Sequence, residues 1–135
     1  MCLVSSTVIA LLIASMPSEA RFHEVSLDIT EEHFPSTDVP NPDGGELKNY
    51  GKNVSSDYIL ADLKSRHRRA ATAAEIFRYW RNHPECRKLW IVALGQVWNG
   101  RVVMLYQYDV GYRHAFLSGI AFDWGAHYFF LSFPL

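Results

Sequence analysis

From Arg87 to Leu135, apolar and polar residues follow a period of two, and the residue types are those of strands. The candidates are KLWIVALGQVW (88–98), RVVMLYQYD (101–109), RHAFLSGIAFD (113–123) and HYFFLSFPL (127–135). The connections Asn99-Gly100, Asp109-Val110-Gly111 and Asp123-Trp124-Gly125 are turn chemistry. The first is the clearest, because a type I′ hairpin turn needs φ > 0 at both central positions and Asn-Gly tolerates that best. In that register Trp98 opposes Arg101, Val97 opposes Val102, Ala93 opposes Tyr106 and Ile91 opposes Tyr108. One face is then apolar and packs on a helix. The other, with Gln96, Trp98, Arg101, Val103 and Gln107, is mixed.

Upstream the period becomes helical. Ser55, Ser56 and Asp57 are N-cap types, and Ile59, Leu60, Leu63 and His67 fall near one stripe, opposite Asp62, Lys64, Arg66 and Arg68. The alanine-rich AATAAEIF (70–77) extends or restarts this helix until Asn82-His83-Pro84 stops it. Residues 31–53 are rich in Pro, Asp, Asn and Gly without a sustained period and read as loop, while FHEVSLDI (22–29) alternates like an edge strand. The expected class is α+β: one main helix, intact or broken, on one side of a four- to five-stranded antiparallel meander.

The length of 135 residues, with 49% hydrophobic and 14% aromatic content, suits one packed domain. The first 20 residues, MCLVSSTVIALLIASMPSEA, are apolar from Val8 to Ile13 and end in Ser18-Glu19-Ala20, small residues at −3 and −1 of a cleavage site. They read as a secretory signal peptide, too short and wrongly flanked for a membrane anchor. The expected organisation is therefore a signal peptide (1–20), an extended loop-rich segment (21–53) and a folded domain (54–135).

Charge is uneven along the rest. Residues 21–63 hold 3 basic and 9 acidic side chains, and residues 64–113 hold 10 and 3. A basic middle attracts RNA, anionic lipid or an acidic protein, although KSRHRR (64–69) also reads as a solvated helix face and as a dibasic processing site. Without Cys2 only Cys86 remains, so no internal disulfide can form, and burial is expected for this thiol. Asn53-Val54-Ser55 is an N-glycosylation sequon. His23, His33 and His127 lie in separate segments without metal-ligand spacing, so neither a zinc site nor a cofactor is expected.

RKLWIVALGQVWNGRVVMLYQYDVGYRHAFLSGI (87–120) and KNYGKNVSSDYILADL (48–63) resemble the ribonuclease-like secreted effectors of powdery mildew fungi. These are similar in fold to small secreted guanyl-specific ribonucleases. The resemblance spans residues 48–135. It departs where the family's cysteine near Tyr50 and its C-terminal partner are both absent.

The resemblance implies a microbial-ribonuclease-like fold. Active members use a glutamate and a histidine to exchange protons with RNA, and an arginine to steady the phosphoryl charge. Arg101-Val102-Val103-Met104 matches the arginine motif. Lys88 or Leu89 stands at the glutamate, and Phe122-Asp123 follows Gly119-Ile120-Ala121 where the histidine belongs.

The expected function is therefore a secreted virulence effector, delivered into host cells, in which a catalytically inactive ribonuclease-like scaffold binds host proteins, an immune receptor among them, or weakly binds RNA. Alternatives are an active ribonuclease using His114 with Arg101, or a plain extracellular binding module. Arg101, Lys88, Lys64, Arg66, Arg68 and Arg69 are the anion-binding candidates. Arg101 either stacks on Trp98 or contacts an anion. His114 joins Arg101's face if Val110-Gly111 is the turn. It points to the helix side, opposite Tyr106, if the turn is Asp109-Val110-Gly111.

Overall fold

The computed structural model describes residue 16 and residues 21–36, 44–107, 111–121 and 123–135. Its elements are β1 (Glu24–Val25), β2 (Glu46–Lys48), α1 (Ser56–Ser65), β3 (Arg68–Ala70), α2 (Ala73–Asn82), β4 (Trp90–Trp98), β5 (Arg101–Gln107), β6 (Arg113–Gly119) and β7 (Tyr128–Pro134), with a 3₁₀ turn at Pro84–Cys86. One seven-stranded sheet runs β1-β6-β5-β4-β7-β2, and β3 pairs with β7 beside that path. The signal-peptide expectation lies outside the described residues except for Met16, which is buried in the core against α2. The Asp109-Val110 half of the second turn also lies outside them.

This architecture overturns the expected class. The four predicted strands are present as β4 to β7, but they do not form a meander. After β6 the chain crosses the sheet and β7 pairs parallel with β4, Trp90 beside Tyr128 and Val92 beside Phe130. Asp123-Trp124-Gly125 is part of that crossover and not a hairpin turn. Trp124 is fully buried, its backbone pairs with Val54, and its indole N–H donates to Ser56 Oγ at 2.8 Å. A second parallel pair joins β1 to β6. β2, inside the expected loop, and β3, inside the expected helical stretch, have three residues each and exist through their pairing with β7.

There are two helices of ten residues. Ser55 caps α1 by accepting from the Tyr58 N–H, and His67, at φ 59°, turns the chain out of it. Thr72 and Glu75 form a capping box that restarts helix as α2. The helices lie on opposite faces of the sheet. α2 buries Ile76, Phe77 and Trp80 against Ile91, Ala93, Val103 and Leu105. α1 buries Ile59 and Leu63 in the other cluster, with Val92, Leu94, Val102 and Met104. The expectation of one covered and one mixed face is therefore replaced by two apolar faces.

The hairpin turns at Asn99-Gly100 as expected, with φ of 50° and 69°, and Trp98 opposes Arg101. Beyond that pair the expected register fails: Ala93 opposes Val103 and Ile91 opposes Leu105. Four residues of β4 (94–97) face the single Val102 of β5, a wide irregularity that shifts pairing by three. Its cause is visible at Gly95. The N–H donates to Ala71 O at 2.8 Å, and a Cβ there would lie 2.4 Å from Ala70 O and 2.5 Å from Ala71 O. β3 presses its backbone into β4, and only glycine admits it.

Candidate functional site

Three adjacent strands bring together a carboxylate, an imidazole and a phenol. Glu24 on β1 is in register with His114 on β6, which is in register with Tyr106 on β5. The described register is the one in which Tyr106 opposes His114 and the histidine lies on the α1 side. The Tyr106 hydroxyl meets His114 Nδ1 at 2.9 Å. His114 Nε2 is buried and lies 3.1 Å from Glu24 Oε1, a charge contact that is off hydrogen-bond alignment. Tyr112 donates to the other Glu24 oxygen at 2.9 Å, and His114 first, then Tyr112, holds this carboxyl below its ordinary range. A carboxylate thus faces the His114 ring across the β1–β6 pair. Nδ1 is engaged by the Tyr106 hydroxyl and Nε2 is shielded from solvent beside Glu24.

Arg101 lies elsewhere. The β5–β6 ladder is unbroken from Arg101 beside Gly119 to Gln107 beside Arg113, so side chains alternate strictly between faces. Arg101 therefore shares the side of Val103 and Leu105, whereas Tyr106 and His114 take the other. Five residues of strand also separate Arg101 from Tyr106, roughly 17 Å at about 3.4 Å each. Arg101 is exposed, and its strand neighbour Trp98 stacks on His33, with ring centroids 3.8 Å apart. Lys88 is exposed just before β4.

A second locality gathers three of the basic candidates. Between α1, β3 and the irregular end of β4 lies a groove of about 740 Å³, floored by Leu60, Leu63 and Leu94 and edged by Lys64, Arg68 and Arg69. Two of these cations already have partners. Arg68 donates to Ser132 Oγ, Ser132 O and Gly44 O. Arg69 grips both oxygens of the buried Glu75 at 2.7 Å. Burial pushes the Glu75 carboxyl up, but the Arg69 and Thr72 hydrogen bonds outweigh it and leave the carboxyl below its usual range. Arg66 points away into an ion pair with Asp62 at 3.1 Å. Lys64 has no hydrogen-bond or ion-pair partner among the described residues and is exposed.

The remaining sequence signals are distributed. Arg68-Arg69 sits in a paired strand, half-buried, which shields it from a processing protease. Asn53 is exposed, while Ser55 of its sequon caps α1. His23 stacks on Tyr112 and His127 packs edge-on to Trp90, and no metal-ligating cluster occurs among the described residues. Cys86 is half-buried rather than buried, its Sγ 3.9 Å from the Tyr79 hydroxyl. That phenol is pushed up to about 12, by burial first and then by Cys86.

Sequence reasoning missed Glu24 and the groove. A parallel partner 90 residues upstream leaves no local mark around His114. A lone glycine inside a strand pattern, by contrast, is a signal of close backbone approach, and Gly95 could have pointed to the groove's floor. No helix among the described residues is long and apolar enough to cross a membrane. No family model, no curated protein and no solved structure matches the chain.

Proposed function

We propose that this chain is a secreted effector-type protein that acts by binding a host protein and not by cleaving RNA. The proposal does not rest on a ribonuclease architecture, which the mixed sheet has overturned. The observation that carries it is the separation of His114 from Arg101, on opposite faces and five strand residues apart. Transesterification of RNA needs a base, an acid and charge support around one phosphate, and each proton-transfer group typically contributes about 10²–10⁴-fold. Here the imidazole spans Tyr106 and Glu24, and the guanidinium is too distant to share its substrate.

A protein partner is favoured over RNA by the state of the basic residues. Arg66, Arg68 and Arg69 are each committed within the fold, which leaves Lys64, Lys88 and Arg101, spread over separate elements, as the candidates to release counterions from a phosphate backbone.

The test is incubation of the purified secreted chain with single-stranded RNA. No degradation above a buffer control is expected, and cleavage that His114→Ala abolishes would overturn the proposal. Intact mass checks the secretion half: a mature chain beginning near Arg21 is expected, and a secreted form retaining Met1 would remove it.

A further inference from the structure

We infer that the groove between α1, β3 and the irregular end of β4 seats an extended peptide segment of the partner, with an acidic residue next to an apolar one. This rests on the binding function proposed above. The volume, about 740 Å³, falls within the range of ligand sites, roughly 300–1,000 Å³. The floor is leucine: Leu63 and Leu94 are buried, and Leu60 beside them is 37% exposed. Among the described residues lining it there are three cations and no acidic side chain; Arg68 faces Glu46 at 3.8 Å and Arg69 is paired with Glu75, so the uncompensated charge is that of Lys64 and an occupant with one negative charge is complementary.

Charge alone would also suit RNA, but the lining distinguishes the two. It holds no aromatic ring among the described residues, so bases have nothing to stack on. Two of its three cations are already hydrogen-bonded inside the fold. What is left is one free ammonium, Lys64, at the edge of an apolar trough. A single carboxylate beside a leucine- or isoleucine-sized side chain satisfies both features at once. Lys64 sits one residue after Leu63 and four after Leu60, on adjoining turns of α1, so charge and apolar contacts lie within one peptide's reach.

The experiment uses the purified secreted chain and four fluorescent or amide-shift probes: an alternating Leu-Glu octapeptide, an alternating Leu-Lys octapeptide, decanoate and oligo-uridylate. The expected result is saturable binding of the Leu-Glu peptide, with amide shifts centred on Leu63, Lys64 and Gly95, and none with the Leu-Lys peptide. Lys64→Glu should weaken that binding by about tenfold, equivalent to about 1.4 kcal/mol. Leu60→Glu should weaken it similarly. Both positions are exposed, and the milder Lys64→Met, if charge reversal disturbs α1, should still weaken it by a few-fold.

Equal binding of both peptides would overturn the inference, as would preference for decanoate or oligo-uridylate, or insensitivity to Lys64. RNA cleavage in the same samples would instead overturn the proposed function, so the two failures are distinguishable.

Discussion

The two faces of the sheet are made from the same strands and carry different burdens. The α2 face is closed: an amphipathic helix lays Ile76, Phe77 and Trp80 across it, and Phe22 packs on Phe77 and Trp80 from the side. Its polar members, Thr72 and Glu75, serve the helix cap and the Arg69 pair. The α1 face is only partly covered, because α1 buries little beyond Ile59 and Leu63 and Trp124 fills the space beside them. What α1 leaves there is the groove on one flank and, on the other, the Glu24–His114–Tyr106 row, which runs from an exposed carboxylate inward to a buried phenol. A helix that covers a face fully leaves no room for a ligand, and one that covers half of it leaves edges. In this fold the side chains with chemistry to offer collect on the face with the weaker helix.

The largest test of this contrast is Gly95→Ala. The added methyl would meet two backbone carbonyls that cannot swing away, so β3 must leave β4 and the groove must open. A loss of about 3 kcal/mol or more is expected in urea unfolding. A near-normal midpoint would show that β3 is not pressed into β4.

Next comes the hairpin that both faces share. Asn99→Val with Gly100→Val forces two β-branched residues to φ > 0, at about 1–3 kcal/mol each. Nothing lies within 4 Å of a Cβ at Gly100, so a loss in melting temperature there reports backbone strain alone.

On the closed face, Glu75→Gln removes a buried charge from its guanidinium, with an expected loss of about 1–3 kcal/mol near neutral pH. The sign with pH follows from a carboxyl whose folded value is depressed. Its contribution is complete above the unfolded carboxylate range and disappears as pH falls through the folded value. The variant's stability should therefore fall less steeply than the parent's on acidification below that range. Parallel acid limbs would show that the pair adds nothing.

The smallest effect belongs to the open face. Glu24 is well exposed, so Glu24→Gln should change the melting temperature barely at neutral pH. What it should change is the His114 ring environment, read as a shift in its carbon-bound proton resonances. An unmoved His114 would break the row.

Much of the strand and helix content was legible because it is written in short-range pattern. Asn99-Gly100, the Ser55 cap and the period-two runs each act within a few residues, and all appear where expected. The order of strands was not legible. The crossover to β7 is decided by Trp124 docking on Val54 and Ser56, contacts roughly 70 residues apart that leave no periodic trace. The same holds for the site. Arg101 and His114 were recognisable as residues, but a one-residue change in the register of β5 against β6 decides whether they share a face.

The sheet order also constrains when this chain can fold. β4, β5 and β6 are neighbours in sequence and can pair as soon as they exist, but both edges join distant ends: Glu24 to His114, 90 residues on, and Glu46 to Ser132, 86 residues on. Such high contact order slows folding, because loop closure must precede any reward from the contact. β7 follows the other described strands in sequence, and it is the partner of β2, β3 and β4 alike. β2 and β3 therefore have no sheet partner until β7 is present, whereas β1 can already join β6. Whatever order the central strands take, the flank that carries β2 and β3 closes only after β7 is in place.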